Sequence, residues 1–174
     1  MDSAEYERKI ASRFASFDQD GNGYIDRQDF NAAAKAVLAE FGVAARSDRG
    51  QALYDGAEAF WQGMAGIADV DGDQRVTREE FVTGAAKRLR DSPARFGEIA
   101  RPFLHAVLAA ADEDRSRSGA DPRVLARVMK VLGAPEEDAD RLAAGLPVGE
   151  DGRVAENTII TAFAGYCGVE PPDA

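Results

Sequence analysis

The stretch DQDGNGYIDRQD, Asp18 to Asp29, decides how the rest of the chain is read. Its positions 1, 3, 5, 9 and 12 carry oxygen-bearing side chains, from Asp18, Asp20, Asn22, Asp26 and Asp29, and Tyr24 at position 7 offers a backbone carbonyl. Gly23 holds position 6, where a chain wrapped round a small ion must turn sharply with positive φ. This is the donor pattern a hard cation needs, six to eight oxygens at about 2.3–2.6 Å delivered by one twelve-residue loop. Ile25 at position 8 suits a short strand that pairs the loop with another of its kind. Only the last position departs: the frame asks for glutamate and the chain supplies Asp29. Aspartate is one methylene shorter and reaches an ion less easily with both oxygens, which favours lower coordination numbers and makes magnesium a better competitor with calcium.

Working outward, apolar residues recur at helical spacing on both sides: Ile10, Phe14 and Phe17 before the loop, then Phe30, Ala34, Val37, Leu38 and Phe41 after it, with Gly42 as the stop. Ser47 reads as the N-cap of a long helix with Leu53, Ala57, Phe60, Trp61, Met64 and Ile67 on one face. That helix runs into DVDGDQRVTREE, whose donors are Asp69, Asp71, Asp73, the Arg75 carbonyl, Thr77 and Glu80, with Val76 at position 8. Here the fault is Gln74 at position 6, a left-handed position that costs a residue with a side chain about 1–2 kcal/mol. Phe81, Val82, Ala85 and Leu89 continue the pattern, and Pro102 reads as the opening of the next helix, through Phe103, Leu104, Val107, Leu108 and Ala111.

Two further copies of helix, loop and helix complete a fourfold repeat. In the third loop, residues 112–123, Asp112, Asp114 and Ser116 fit, but Arg117 stands at position 6, Gly119 at position 8 and Arg123 at the closing position, while Asp121 before Pro122 reads as a helix N-cap. In the fourth, residues 147–158, Pro147, Gly149 and Thr158 occupy positions 1, 3 and 12. Both are read as retained in fold and degenerate in metal binding. The expected architecture is therefore all-α: four helix-loop-helix units in two pairs, residues 1–95 with the binding loops and residues 96–174 with the degenerate ones.

Among 174 residues, 31 acids against 21 bases give a net charge of −10, which argues against a nucleic-acid surface. No run of apolar residues is long enough to span a bilayer. The start MDSAEYERKI lacks the basic and apolar stretches of a signal peptide, so a cytoplasmic protein is expected. Cys167 is the single cysteine and has no internal partner for a disulfide. An arginine to lysine ratio of 17 to 4 matches a high-GC bacterial genome. His105 has no neighbouring constellation that would make it a base, and Phe60 and Trp61 at helical spacing are read as core in preference to a cofactor cavity.

Four such units, a long connection between the first two and degenerate later loops resemble the EF-hand family of sarcoplasmic calcium-binding proteins and the bacterial calerythrins. In that family the first loop often ends in aspartate, as it does here. The resemblance implies calcium ligation by the donors of the first two loops; calerythrin-like proteins usually keep binding loops in the C-terminal half too, and there the residues of this chain's last two loops depart from the family. Expected from the whole is a monomeric protein without catalytic activity that binds about two calcium ions, with magnesium competing at the first loop, as a buffer or signal modulator. A sensor or interaction module, whose C-terminal pair takes a partner or small ligand, is the alternative.

Overall fold

The computed structural model describes residues 3–85, 88, 91–112 and 119–166. Leu89, Asp114, Ser116, Arg117 and Cys167, with the side chains of Ile10 and Ala85, lie outside the described residues. In chain order the elements are α1 (Ser3–Phe17), β1 (Tyr24–Ile25), α2 (Arg27–Phe41), α3 (Asp48–Ala68), β2 (Val76–Thr77), α4 (Arg78–Glu80) running on as a π-helical turn (Phe81–Ala85), α5 (Pro93–Ala111), α6 (Pro122–Val131), α7 (Glu136–Gly145) and α8 (Glu156–Tyr166). The all-α reading holds, and no helix among the described residues is long and apolar enough to cross a membrane.

Local chemistry places most of the ends. The Ser47 hydroxyl accepts the Gly50 N–H at 3.1 Å to start α3, Asp121 caps α6 through the Arg123 N–H at 2.8 Å, and Gly42 ends α2 in the left-handed region at φ 64°. One expectation fails: Pro102 does not open a helix. Pro93 does, at the first turn of α5, and Pro102 lies inside that helix. A proline there removes one backbone donor from the helix. The backbone at this point meets α3, where a Cβ on Gly56 would lie 2.8 Å from both Phe103 Cα and the Pro102 carbonyl oxygen. One helical face further along, a Cβ on Gly63 would meet Ile99 at 2.4 Å. Glycine at these two positions lets α3 approach the backbone of α5 at Gly56 and the Ile99 side chain at Gly63.

The main core draws on both halves of the chain. Phe14, Phe30, Phe60, Trp61 and Phe81 from the first half are buried with Phe96, Phe103, Val107, Val128 and Ile160 from the second. Phe60 is the node: its ring lies 5.0 Å from Phe30, 6.0 Å from Phe17 and Phe103, 6.1 Å from Phe96 and 6.5 Å from Phe163, centroid to centroid. Truncating such a ring to alanine costs about 3–5 kcal/mol. A satellite cluster of Leu108, Ala120, Leu125, Ala143, Val154 and Ile159 lies under the last two loops.

Loops meet back to back, as their position-8 residues require. Ile25 faces Val76 and Tyr24 faces Thr77 across the antiparallel β1–β2 pair, with Ile25 and Val76 wholly buried. In the second half the equivalent contact is a single bridge between Ala120 and Val154, with N–H···O distances of 3.0 and 2.8 Å.

Candidate metal centres

Each loop folds round its own first acid. Asp18 accepts the Asn22 N–H at 3.2 Å on Oδ1 and the Gly23 N–H at 2.9 Å on Oδ2; Asp69 does the same for Gly72 at 3.0 Å and Gln74 at 2.9 Å. Position 6 is left-handed in both, at φ 89° for Gly23 and φ 64° for Gln74, the single non-glycine residue with positive φ among the described residues. The strain read from the sequence is thus present in the backbone. Asp20 accepts from Asn22 N–H at 3.1 Å, Asp71 from Asp73 N–H at 3.1 Å, and Asp73 from Arg75 N–H at 2.9 Å. The same hydrogen bonds aim their carboxylates toward a common point.

Carboxylate oxygens of Asp18, Asp20 and Asp29 come within 4.8 Å of one another, and so do those of Asp69, Asp71 and Asp73. Donors so spaced fit one divalent ion per loop, since unneutralised carboxylates this close repel and a hard cation takes oxygen ligands. Of the other sequence-assigned donors, Asn22 turns its Oδ1 to the Tyr24 N–H at 3.0 Å, and Tyr24 and Arg75 stand at the position-7 carbonyls with the Arg75 guanidinium 5.1 Å from the Tyr24 ring centre. Asp26 and Thr77 act as helix N-caps, accepting from Gln28 N–H at 3.0 Å and Glu80 N–H at 3.2 Å.

The closing residues differ. Asp29 lies within its cluster, 1% exposed, with Oδ1 accepting the Asp20 N–H at 3.2 Å and Oδ2 the Asp26 N–H at 2.9 Å. Burial pushes its carboxyl up to about 6, and the charges of Asp20 and Asp26 add to the rise, against a lowering by those two N–H donors. Glu80 is half-buried, gives Oε2 to the Thr77 N–H at 2.9 Å, and lies outside the cluster of Asp69, Asp71 and Asp73. Asp71 moves the opposite way to Asp29: the Asp73 N–H, first among its causes, holds its carboxyl below the usual range.

In the second half the bridge register reveals something the spacing hid. Val154 stands at position 8 of its loop, as counted from Pro147, but its partner is Ala120, one residue beyond position 8 counted from Asp112. The cap agrees: Asp121 occupies the place that Asp26 and Thr77 take in the first two loops. The third loop is therefore one residue longer than the frame, and its closing position falls on Val124, packed against the core, where the count of twelve put Arg123. Aligning the Asp121-Pro122 cap with the earlier caps would have shown the insertion. A residue missed entirely is Arg153, whose guanidinium pairs with Asp112.

Other singled-out residues settle into ordinary places. His105 is exposed, its Nδ1 2.8 Å from Glu156 Oε1. Phe60 borders a cavity of about 60 Å³, well short of the ~150 Å³ that accommodates a benzene-sized ligand.

The EF-hand domain pair model matches residues 7–86. Calerythrin of Saccharopolyspora erythraea is 23% identical over 168 residues, covering 95% of this chain and 94% of calerythrin. A calcium-binding protein of Streptomyces coelicolor, whose structure is described as a basis for prokaryotic calcium-mediated regulation, is 64% identical with a TM-score of 0.87, over 95% of this chain and 99% of that one. The chain is a bacterial EF-hand protein of the calerythrin type. The EF-hand fold reaches further than this branch: the magnesium-loaded ctenophore photoprotein apo-berovin superposes at a TM-score of 0.67 with 19% identity over 94% of this chain and 93% of its own, a likeness of fold alone.

Proposed function

We propose that this EF-hand protein is a cytoplasmic, monomeric calcium binder that holds about two ions, both in the N-terminal half, and acts without catalysis. The observation that carries the reading is the pair of carboxylate clusters, Asp18, Asp20, Asp29 and Asp69, Asp71, Asp73, brought back to back by β1–β2. On this reading Asn22, the Tyr24 carbonyl and Asp26 complete the first site, and the Arg75 carbonyl, Thr77 and Glu80 complete the second. Residues 1–95 are the metal-binding pair and residues 96–174 the pair that has given up binding. Magnesium competes at the first site through the shorter reach of Asp29.

Calorimetric titration with calcium, repeated in excess magnesium, tests the proposal. Two ions are expected, with one site weakened by magnesium; a stoichiometry of three or four refutes it.

A signalling role draws support from the calcium-mediated regulation described for the S. coelicolor relative. Buffering draws support from the surface, where the exposed large apolar side chains among the described residues are Tyr24, Val70 and Val148 alone. Hydrophobic-dye fluorescence separates the two: a buffer leaves it flat or lower on adding calcium, and a groove-opening sensor raises it.

A further inference from the structure

We infer that Arg153 is a built-in counter-ion that holds the C-terminal pair of loops closed without a metal, its guanidinium resting on the leading acid of the third loop. The inference deepens the reading of the C-terminal half as the non-binding pair. Arg153 occupies position 7 of the fourth loop, where an EF-hand needs only a carbonyl and the side chain is free to vary. Its side chain turns inward instead, 10% exposed, and Nη2 engages the Oδ2 of Asp112, itself 19% exposed, and the Gly119 carbonyl at 3.0 Å. Asp112 is the first acid of the third loop, the counterpart of Asp18 and Asp69. One planar cation thus takes up the leading carboxylate of one loop while being anchored in the other.

The backbone of the fourth loop has closed accordingly. The Arg153 carbonyl, which at position 7 would face an ion, accepts the Gly149 N–H at 2.9 Å, and the Arg153 N–H donates to Asp151 Oδ1 at 3.0 Å. Beside the guanidinium the two loops come as close as backbones can: Gly119, at φ 78°, leaves only 2.1 Å between a notional Cβ and the Val154 carbonyl oxygen, next to the Ala120–Val154 bridge. In the N-terminal pair the approach of the acids to one another is left for a divalent ion to neutralise. Here a covalently attached cation does it permanently, with no dependence on free calcium. Nη2 alone serves both the carboxylate and the carbonyl, and a guanidinium keeps its charge when half-buried, where a lysine would shift toward neutral. Losing either partner removes the ion pair that joins the two loops.

The consequence is a pair of loops whose closure is insensitive to calcium, and amide hydrogen exchange of the whole chain reads it directly. The Ala120 and Val154 amides should exchange at the same rate in calcium and in chelator in the natural protein, and at least tenfold faster in Arg153→Met under both conditions. Asp112→Asn should act in the same direction, and Arg153→Lys should retain part of the protection. The calcium stoichiometry of Arg153→Met, taken on the same sample, should stay where the natural protein has it, since Val124 and Thr158 still deny the C-terminal loops a closing acid. Chelator that speeds exchange at Ala120 and Val154 tenfold in the natural protein overturns the inference with no variant needed; so does an Arg153→Met protein whose two amides are slowed or less than threefold faster. A titration that finds no bound calcium removes the proposed function and leaves this inference standing, whereas three or four ions would place calcium in the C-terminal loops and overturn both.

Discussion

Acid should strip the first loop before the second. The perturbation is pH, and the magnitude comes from Asp29, whose burial raises its carboxyl to about 6 in the metal-free fold. A ligand must lose its proton before it can bind calcium, so the apparent affinity of the first site carries a factor of one plus the ratio of protonated to ionised Asp29. At pH 7 that factor is about 1.1; at pH 5 it is about 11, a loss of roughly tenfold or about 1.4 kcal/mol. The second loop has no acid so placed: Asp71 is held below the usual range, and Glu80 is half-buried with its Oε2 on the Thr77 N–H. Stability of the metal-free protein runs in the matching direction. A folded-state carboxyl raised above its unfolded value of 3.8 contributes stability that is full below that value and is lost as pH rises through about 6. Calorimetry at pH 7 and pH 5, in buffers of different ionisation enthalpy, should show one site losing about tenfold and releasing a proton on binding while the other changes little. Equal weakening of both sites, or none in either, would refute the reasoning from Asp29.

Asp29→Glu should raise the calcium over magnesium selectivity of the first site, checked by calcium titration in excess magnesium, because the longer side chain reaches an ion with both oxygens. Gln74→Gly should relieve the left-handed strain at φ 64° and stabilise the metal-free fold by about 1 kcal/mol, a rise of roughly 2–4 °C in melting temperature for a chain of this size. Gly56→Ala should cost about 1–3 kcal/mol, read from denaturant unfolding, since its Cβ would meet backbone atoms of α5 at 2.8 Å that cannot swing aside.

The helices and the first two loops were legible because each rests on local chemistry. Apolar periodicity marks α2, α3 and α5, Gly42 and Ser47 mark the end of α2 and the start of α3, Asp121 marks the start of α6, and Gln74 announces its own strain. Pro102 misled for a physical reason: the rule that proline opens helices concerns the chain alone, and here the helix passes through it while Gly56 of another helix accommodates the backbone. The third loop misled because one inserted residue leaves composition untouched while shifting every later position; the Ala120–Val154 bridge fixes the register, and of the sequence signals only the Asp121 cap carried it. Nor could spacing show that Asp29 joins its cluster while Glu80 does not, since both side chains make the same capping contact and differ in how the fold buries them. Arg153 lay at a position where the motif constrains only the backbone, so its partner 41 residues away was invisible to a motif.

Packing between the halves bears on what calcium can do to this fold. In a sensor, ion binding swings the helices of an EF-hand pair apart and exposes an apolar groove for a target. The face that would be exposed here is that of α3, with Phe60, Trp61 and Met64 all buried, and α5 already covers it. Phe60 touches rings from α1, α2, α5 and α8, and Gly56 and Gly63 bring the two helices into contact without slack. Separating them would expose several aromatic side chains, each worth about 1.5–3 kcal/mol of burial, against an ion whose stabilisation at a hundredfold excess over its dissociation constant is about 2.7 kcal/mol. One bound ion cannot meet that cost, and two meet it only if no more than two or three such side chains are uncovered. On the proposed reading the second half occupies the groove that a target would otherwise take, the Arg153–Asp112 pair holds that half closed, and calcium would act by tightening the N-terminal loops against a partner that is already in place.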